Sequence, residues 1–125
     1  MQILRKEALP DSRRIRTAAY ETHRFLLASD AAGATVTDII LRPGREETYG
    51  YDAHVEIAYC LEGAATLTDA SGVAHAIAPG TMWVARPGER FRFVAQAPTR
   101  LICVFTPPLE GGETGFASDM MGEPA

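Results

Sequence analysis

The stretch Tyr51–Gly63 reads Y-D-A-H-V-E-I-A-Y-C-L-E-G, and its alternation decides the fold. Side chains on a strand repeat every two residues. Val55, Ile57, Tyr59 and Leu61 therefore share one face, and His54, Glu56, Ala58 and Cys60 share the other. The first face is expected to be plain core. The second sets an imidazole, a carboxylate and a thiol around a small alanine. Ionisable groups on a well-patterned strand either face water or line a pocket, because burying an unpartnered charge is costly. Glu62-Gly63 then supplies the turn into the next strand.

Working outward, the flanking segments repeat the same grammar. Short runs rich in Val, Ile, Thr, Phe and Tyr are separated by Gly and Pro, which is the pattern of an all-β sandwich or barrel. The runs are Met1–Lys6 as a short edge strand, Arg16–Thr22, Arg24–Ala28, Ala34–Arg42, Arg45–Tyr49, His54–Leu61, Ala64–Asp69, Val73–Ala78, Thr81–Ala85, Phe91–Ala95 and Arg100–Thr106. After Pro107-Pro108 the composition shifts to Gly, Glu and Met. Residues 1–111 are expected to form one barrel domain. Residues 112–125 are expected to be a loop and tail, with Gly111-Gly112 as a hinge by which the tail closes over the pocket as a lid.

Composition narrows the function classes. The chain has 125 residues, 46% of them apolar, which suits one domain with a real core. Its net charge of −4 gives no basic footprint for nucleic acid. The short run Arg13-Arg14-Ile15-Arg16 reads as a solvated face. No window approaches the ~18 apolar residues of a membrane span. The first residues carry charge early and resemble no signal peptide, so the cytoplasm is the expected compartment. Two cysteines, Cys60 and Cys103, both inside apolar runs, read as buried free thiols rather than a disulfide framework.

Two corners, Ala78-Pro79-Gly80-Thr81 and Arg86-Pro87-Gly88-Glu89, lie eight residues apart. Together with Glu62-Gly63 they resemble the corners of a cupin, a double-stranded β-helix or jelly-roll barrel. The resemblance becomes specific in three segments. Glu56–Gly63 (E-I-A-Y-C-L-E-G), Ala78–Val84 (A-P-G-T-M-W-V) and Leu101–Gly111 (L-I-C-V-F-T-P-P-L-E-G) are similar to the corresponding strands of the ectoine synthase family. That resemblance implies a small cupin, a lyase that closes a ring on an acetylated diaminobutyrate with loss of water, and iron as the group that polarises the carbonyl.

Carried over residue by residue, the family's ligand glutamate matches Glu56, its ligand tyrosine corresponds to Trp83, and its ligand histidine to Phe91. Indole nitrogen only donates, and phenylalanine has no lone pair. The expectation is therefore no metal and no cofactor, with iron or zinc through Glu56 as the alternative. His23 and His75 would serve as replacement ligands only if the barrel brought one beside Glu56. The family's substrate contacts match Tyr20, Arg24, Tyr51, His54, Phe105 and Glu113, while a further histidine is replaced by Gly115.

The residues themselves support roles of the same kind. Glu56 and His54, two apart on a strand, can hydrogen-bond and exchange protons. Tyr51 can donate to a developing oxyanion. Arg24 can hold a carboxylate. Tyr20, Trp83, Phe91 and Phe105 form an aromatic wall, and Glu113 follows the last corner. The expected activity is an ectoine-synthase-like cyclase or lyase with an altered substrate, such as a polyketide-like intermediate, working as a homodimer on a small molecule. The alternative is a small-molecule-binding cupin without turnover. A metal-dependent oxygenase or isomerase would need histidines that the chain mostly lacks.

Overall fold

The structure, a computed structural model, describes residues 1–116. Its regular structure is dominated by ten strands: β1 (Arg14–Arg16), β2 (Tyr20–Leu26), β3 (Thr35–Leu41), β4 (Glu47–Tyr49), β5 (Val55–Glu62), β6 (Ala65–Thr68), β7 (Ala74–Ile77), β8 (Met82–Ala85), β9 (Phe91–Ala95) and β10 (Thr99–Thr106). They form a six-stranded sheet in the order β1-β2-β3-β10-β5-β8 and a four-stranded sheet in the order β4-β9-β6-β7. All pairings between these strands are antiparallel. This is the all-β, two-sheet barrel that the punctuation predicts.

The corners work as the sequence requires. Thr81 N–H donates to the Ala78 carbonyl at 3.0 Å, and Glu89 N–H to the Arg86 carbonyl at 3.0 Å. Each turn needs a positive φ at its third residue, supplied by Gly80 (φ 92°) and Gly88 (φ 87°). Gly63 is needed for another reason. A side chain there would begin 2.5 Å from the Pro98 carbonyl, where the chain entering β10 crosses the β5–β6 turn.

The inner face of the large sheet is a grid set by register. Across β8, β5, β10 and β3, one row runs Ala85, Glu56, Phe105, Thr35. The next runs Trp83, Ala58, Cys103, Thr37 and continues to Arg24 on β2. Facing this grid, the small sheet presents Tyr49, Phe91, Phe93 and Leu67, all buried. Burying a large apolar side chain of this kind contributes roughly 1.5–3 kcal/mol.

Three expectations change. The first concerns β5, whose faces are reversed. Ala58 and Cys60 are wholly buried, whereas Tyr59 and Leu61 are 40% and 37% exposed. The face carrying Glu56 is the interior, and the apolar face is the outer wall. Packing explains the choice: Ala58 sits opposite Trp83 in the ladder, and only a small side chain leaves room for an indole beside it. Second, Met1–Lys6 forms no strand, and a 3-10 turn at Lys6–Ala8 follows it. Third, the segment read as Arg16–Thr22 is broken, since Arg16 ends β1 and a turn at residues 17–19 follows it. The remainder joins the segment read as Arg24–Ala28 in β2, because no turn residue separates them and His23 pairs in register with Asp38. The ladder instead shifts register between Arg24 and Leu26, and such an irregularity bends the sheet.

Beyond β10 the chain turns back over the barrel. Leu109 is wholly buried, its N–H bonded to Thr35 Oγ1 at 2.8 Å and its carbonyl accepting from Ala28 N–H at 2.8 Å. Gly50 N–H donates to the Gly115 carbonyl at 3.0 Å, and Phe116 forms a β-bridge with Tyr49. Residues 117–125, the rest of the expected tail, lie outside the described residues. No described helix is long and apolar enough to cross a membrane.

Candidate active site

The barrel encloses a cavity of about 50 Å³. Of the residues the sequence singles out, Tyr20, Arg24, Tyr51, Glu56, Trp83, Phe91 and Phe105 line it, and so do Cys103 and the Thr22–Thr37 pair. His54 and Glu113 are not among the lining residues.

Glu56 is the chemical centre of this cavity. It projects inward from β5, between Ala85 and Phe105 in the ladder. Full burial pushes its carboxyl up from 4.5 to about 7, and a hydrogen bond from the Cys103 thiol opposes that rise. Its Oε1 is buried without a hydrogen-bond partner. Burial, together with the neighbouring Glu56 charge, keeps the Cys103 thiol protonated, well above its ordinary value. Both cysteines are free and buried, as their apolar surroundings imply.

The phenols around Glu56 are proton donors. Burial, followed by the Glu56 charge, raises Tyr51 well above the ordinary phenol range. Tyr49 is raised by the same causes, burial foremost. Tyr51 packs edge-on against Phe105, with ring centroids 5.0 Å apart. Deeper in the grid, Thr22 and Thr37 share a hydroxyl hydrogen across 2.7 Å.

Two expected roles are altered by geometry. His54 does not pair with Glu56. It precedes β5, and its Nδ1 lies 2.7 Å from the Pro107 carbonyl oxygen, with its ring edge-on against Tyr51 at 5.6 Å. A carbonyl can only accept, so the proton sits on Nδ1. Glu113 turns its carboxylate onto the N–H groups of Glu110 and Gly111, at 2.9 and 2.8 Å. Partial burial opposes its ionisation, but these N–H groups hold it below the ordinary carboxylate value.

Arg24 is only 3% exposed. Its Nη1 donates to the Gly111 carbonyl at 2.8 Å and its Nη2 to the Glu113 carbonyl, while Nε is buried without a partner. Tyr20 Oη donates to the Thr114 carbonyl at 2.7 Å. Both residues hold the 111–114 segment across the mouth of the cavity. Gly115 completes the cover at φ 80°, in a space where a Cβ would stand 2.6 Å from the Tyr51 hydroxyl.

With this geometry in view, the comparisons with known proteins converge. The sequence model for ectoine synthase matches residues 1–120. The chain belongs to the ectoine synthase family. L-ectoine synthase of Thermobifida fusca is 35% identical over 98 residues, covering 78% of this chain and 73% of that relative. The crystal structure of ectoine synthase from P. lautus superposes with a TM-score of 0.84 at 31% identity, covering 98% of this chain and 86% of the other. A cupin from Shewanella frigidimarina shares the fold at a TM-score of 0.62 and 18% identity, covering 74% and 80%. These ectoine synthase relatives support a lyase of that type.

The family resemblance implies iron, and the residues present do not fit it. Of the three matched ligand positions, only Glu56 carries a donor atom. The Trp83 indole nitrogen is buried without a hydrogen-bond partner, and its lone pair belongs to the ring. Phe91 offers nothing. Neither replacement histidine lines the cavity: His75 Nε2 bonds Asp69 at 2.9 Å on β7, and His23 lies on β2 opposite Asp38. Among the described residues, no group of three or more His, Cys, Asp or Glu is placed to hold a metal ion.

Sequence reasoning missed Cys103, Thr22, Thr37, Tyr49 and Phe93 as lining residues. For Cys103 a signal was available. It sits two residues before Phe105 on the same strand, so both must point the same way.

Proposed function

We propose that the protein is an ectoine-synthase-like cyclase that closes a ring on a small molecule with loss of water, using proton transfer rather than a metal. The observation that carries this reading is the fully buried Glu56 carboxyl. It is raised to about 7, with one oxygen buried without a hydrogen-bond partner, and so is poised to give and take a proton near neutrality. As a substrate amine attacks an acyl carbon, the protonated carboxyl gives its proton to the carbonyl oxygen. Tyr51 donates a hydrogen bond to the same oxygen. The C–N bond forms and the nitrogen returns a proton to Glu56. The carboxyl then gives that proton to the new hydroxyl, and the C–O bond breaks as water leaves. The nitrogen lone pair closes the C=N bond, and the remaining N–H proton restores the Glu56 carboxyl.

The substrate, on this reading, differs from that of the wider family. Trp83 and Phe91 fill two ligand positions with apolar rings, which suits a flatter or more apolar molecule, including a polyketide-like intermediate. The 50 Å³ cavity is far below the several hundred Å³ of a typical small-molecule site. Entry therefore requires the 111–116 segment to lift as a lid. His54, at the rim, positions Tyr51.

We also propose a cytoplasmic homodimer. The outer face of β8, β5 and β10 carries Val84, Met82, Tyr59 and Leu61, all more than a third exposed, and this face would be covered by a second copy.

The test is ring closure of the acetylated diaminobutyrate and of more apolar analogues, with chelator and then with added iron. Turnover resistant to chelation and lost in Glu56→Gln supports the proposal. Turnover that needs stoichiometric iron overturns its metal-independent part. The second reading, a binding cupin without turnover, is favoured by the aromatic replacement of two ligand positions. It predicts saturable binding of such analogues with no product.

A further inference from the structure

The strongest unexplained feature of the cavity is the Glu56 carboxylate. One oxygen has no partner, and the surrounding wall is mostly aromatic. A buried acceptor with nothing to accept from is costly, because the full desolvation penalty is left uncompensated. The rings of Tyr49, Tyr51, Trp83, Phe91 and Phe105 line the same enclosure. Trp83 packs against Phe91 and Phe93 with centroids 6.2 and 5.8 Å apart, and Tyr49 against Phe91 at 5.9 Å, while Tyr51 and Phe105 form a second ring pair at 5.0 Å.

Aromatic faces carry negative quadrupoles that attract cations. A carboxylate in a cavity lined by aromatic rings is recognition chemistry for an organic ammonium. It is poor chemistry for a metal ion, which needs several lone-pair donors. We infer that Glu56 and its aromatic surround bind the ammonium group of an organic cation, in the place where the family's matched residues would hold a metal.

Among the described residues the other charged side chain lining the cavity is Arg24, and two of its three nitrogens are bound to the carbonyls of Gly111 and Glu113. That leaves its Nε–H as a donor to an acceptor elsewhere on the ligand. A 50 Å³ space matches an ammonium head rather than a whole metabolite. The rest of the ligand would extend toward the 111–116 cover.

The inference rests on the barrel cavity being the substrate site, but not on ring closure occurring there. The chain contains a single tryptophan, Trp83, which lines this cavity and also a neighbouring pocket, so its fluorescence reports binding and the Glu56→Gln variant assigns the signal to this cavity. The full chain is titrated with methylammonium and tetramethylammonium chloride, with methanol and tert-butanol as neutral counterparts, and separately with Fe²⁺ and Zn²⁺. The expected result is a saturable change with at least one ammonium salt and none with the alcohols. Affinity should fall at least tenfold in Glu56→Gln and severalfold in Phe91→Leu, with circular dichroism confirming that both variants fold. Equal responses to salts and alcohols, no saturable response, or an ammonium response untouched by both substitutions would overturn it. So would stoichiometric metal binding that Glu56→Gln abolishes. Ammonium binding without turnover would sink only the cyclase reading, and turnover without ammonium binding would sink only this inference.

Discussion

Phe105 on β10 stands opposite Glu56 on β5 in register, so Cys103, two residues earlier on the same inward face, lies one row further along the cavity from the Glu56 carboxyl. The Cys103 thiol is the neighbour that opposes the burial-driven rise of that carboxyl.

The first prediction concerns pH and stability. Burial raises Glu56 from 4.5 in the unfolded chain to about 7 in the fold. Between those values the folded state keeps a proton that the unfolded state has released. Stability is therefore full below pH 4.5 and falls as pH rises through 7, by about 3 kcal/mol in total. Glu56→Gln removes this dependence, while the carboxylates with lowered values, such as Asp38 and Glu113, contribute equally to both proteins. Urea unfolding at pH 5 and pH 8 should show the variant gaining about 3 kcal/mol on the wild type at the higher pH. A constant difference across that range would mean Glu56 is not desolvated. The same substitution should lower kcat by on the order of 10²–10⁴.

The second prediction concerns the thiols. Cys60 and Cys103 are both almost wholly buried, and burial raises both above their ordinary values. Neither should react with iodoacetamide at pH 8 until the protein unfolds. Cys103→Ala removes the neighbour that opposes the rise of the Glu56 carboxyl, and should cost about 1–3 kcal/mol at pH 8. Rapid labelling of Cys103 in the native protein would contradict the closed barrel.

The third prediction concerns the cover. At Gly115 a Cβ would stand 2.6 Å from the Tyr51 hydroxyl, and the backbone there has φ 80°. Gly115→Ala therefore opposes the seated segment twice, by collision and by conformation. The 111–116 strap should release, with faster proteolysis near Gly111-Gly112, a red-shifted Trp83 emission and at least a tenfold loss of kcat/KM. Wild-type protease resistance would show that Tyr51 yields instead.

How much of this was legible follows from what alternation can encode. Period two placed Glu56, Ala58 and Cys60 on one face, and the Pro-Gly corners placed the turns, because both signals are local. Which face points inward is not local. It is decided by Trp83 arriving opposite Ala58 from a strand more than twenty residues away. Apolar Tyr59 and Leu61 looked like core because an outer wall and a core read alike in a single strand. His54 was expected beside Glu56 by parity, but the strand begins at Val55, and one residue before a strand end parity no longer constrains direction. The match to the family's residues picked out several side chains that line the cavity; only the packed barrel identifies Cys103 beside Glu56, the orphaned Glu56 oxygen and the Arg24 strap.

The fourth prediction concerns the outer wall that this reversal creates. Ile57 pairs with Val84 and Tyr59 with Met82, and Val104 and Ile102 continue both rows onto β10. Met82 is 58% exposed at the free edge of the large sheet, on a strand only four residues long. Short edge strands limit open-ended pairing, so a closed two-fold dimer is the expected outcome rather than fibres. Met82→Lys places a charge at the centre of that contact. Light scattering at micromolar concentrations should give twice the chain mass for the wild type and a single chain mass for Met82→Lys. A wild-type monomer would show that the stripe is tolerated bare, and an unchanged dimer in the variant would move the interface elsewhere on the barrel.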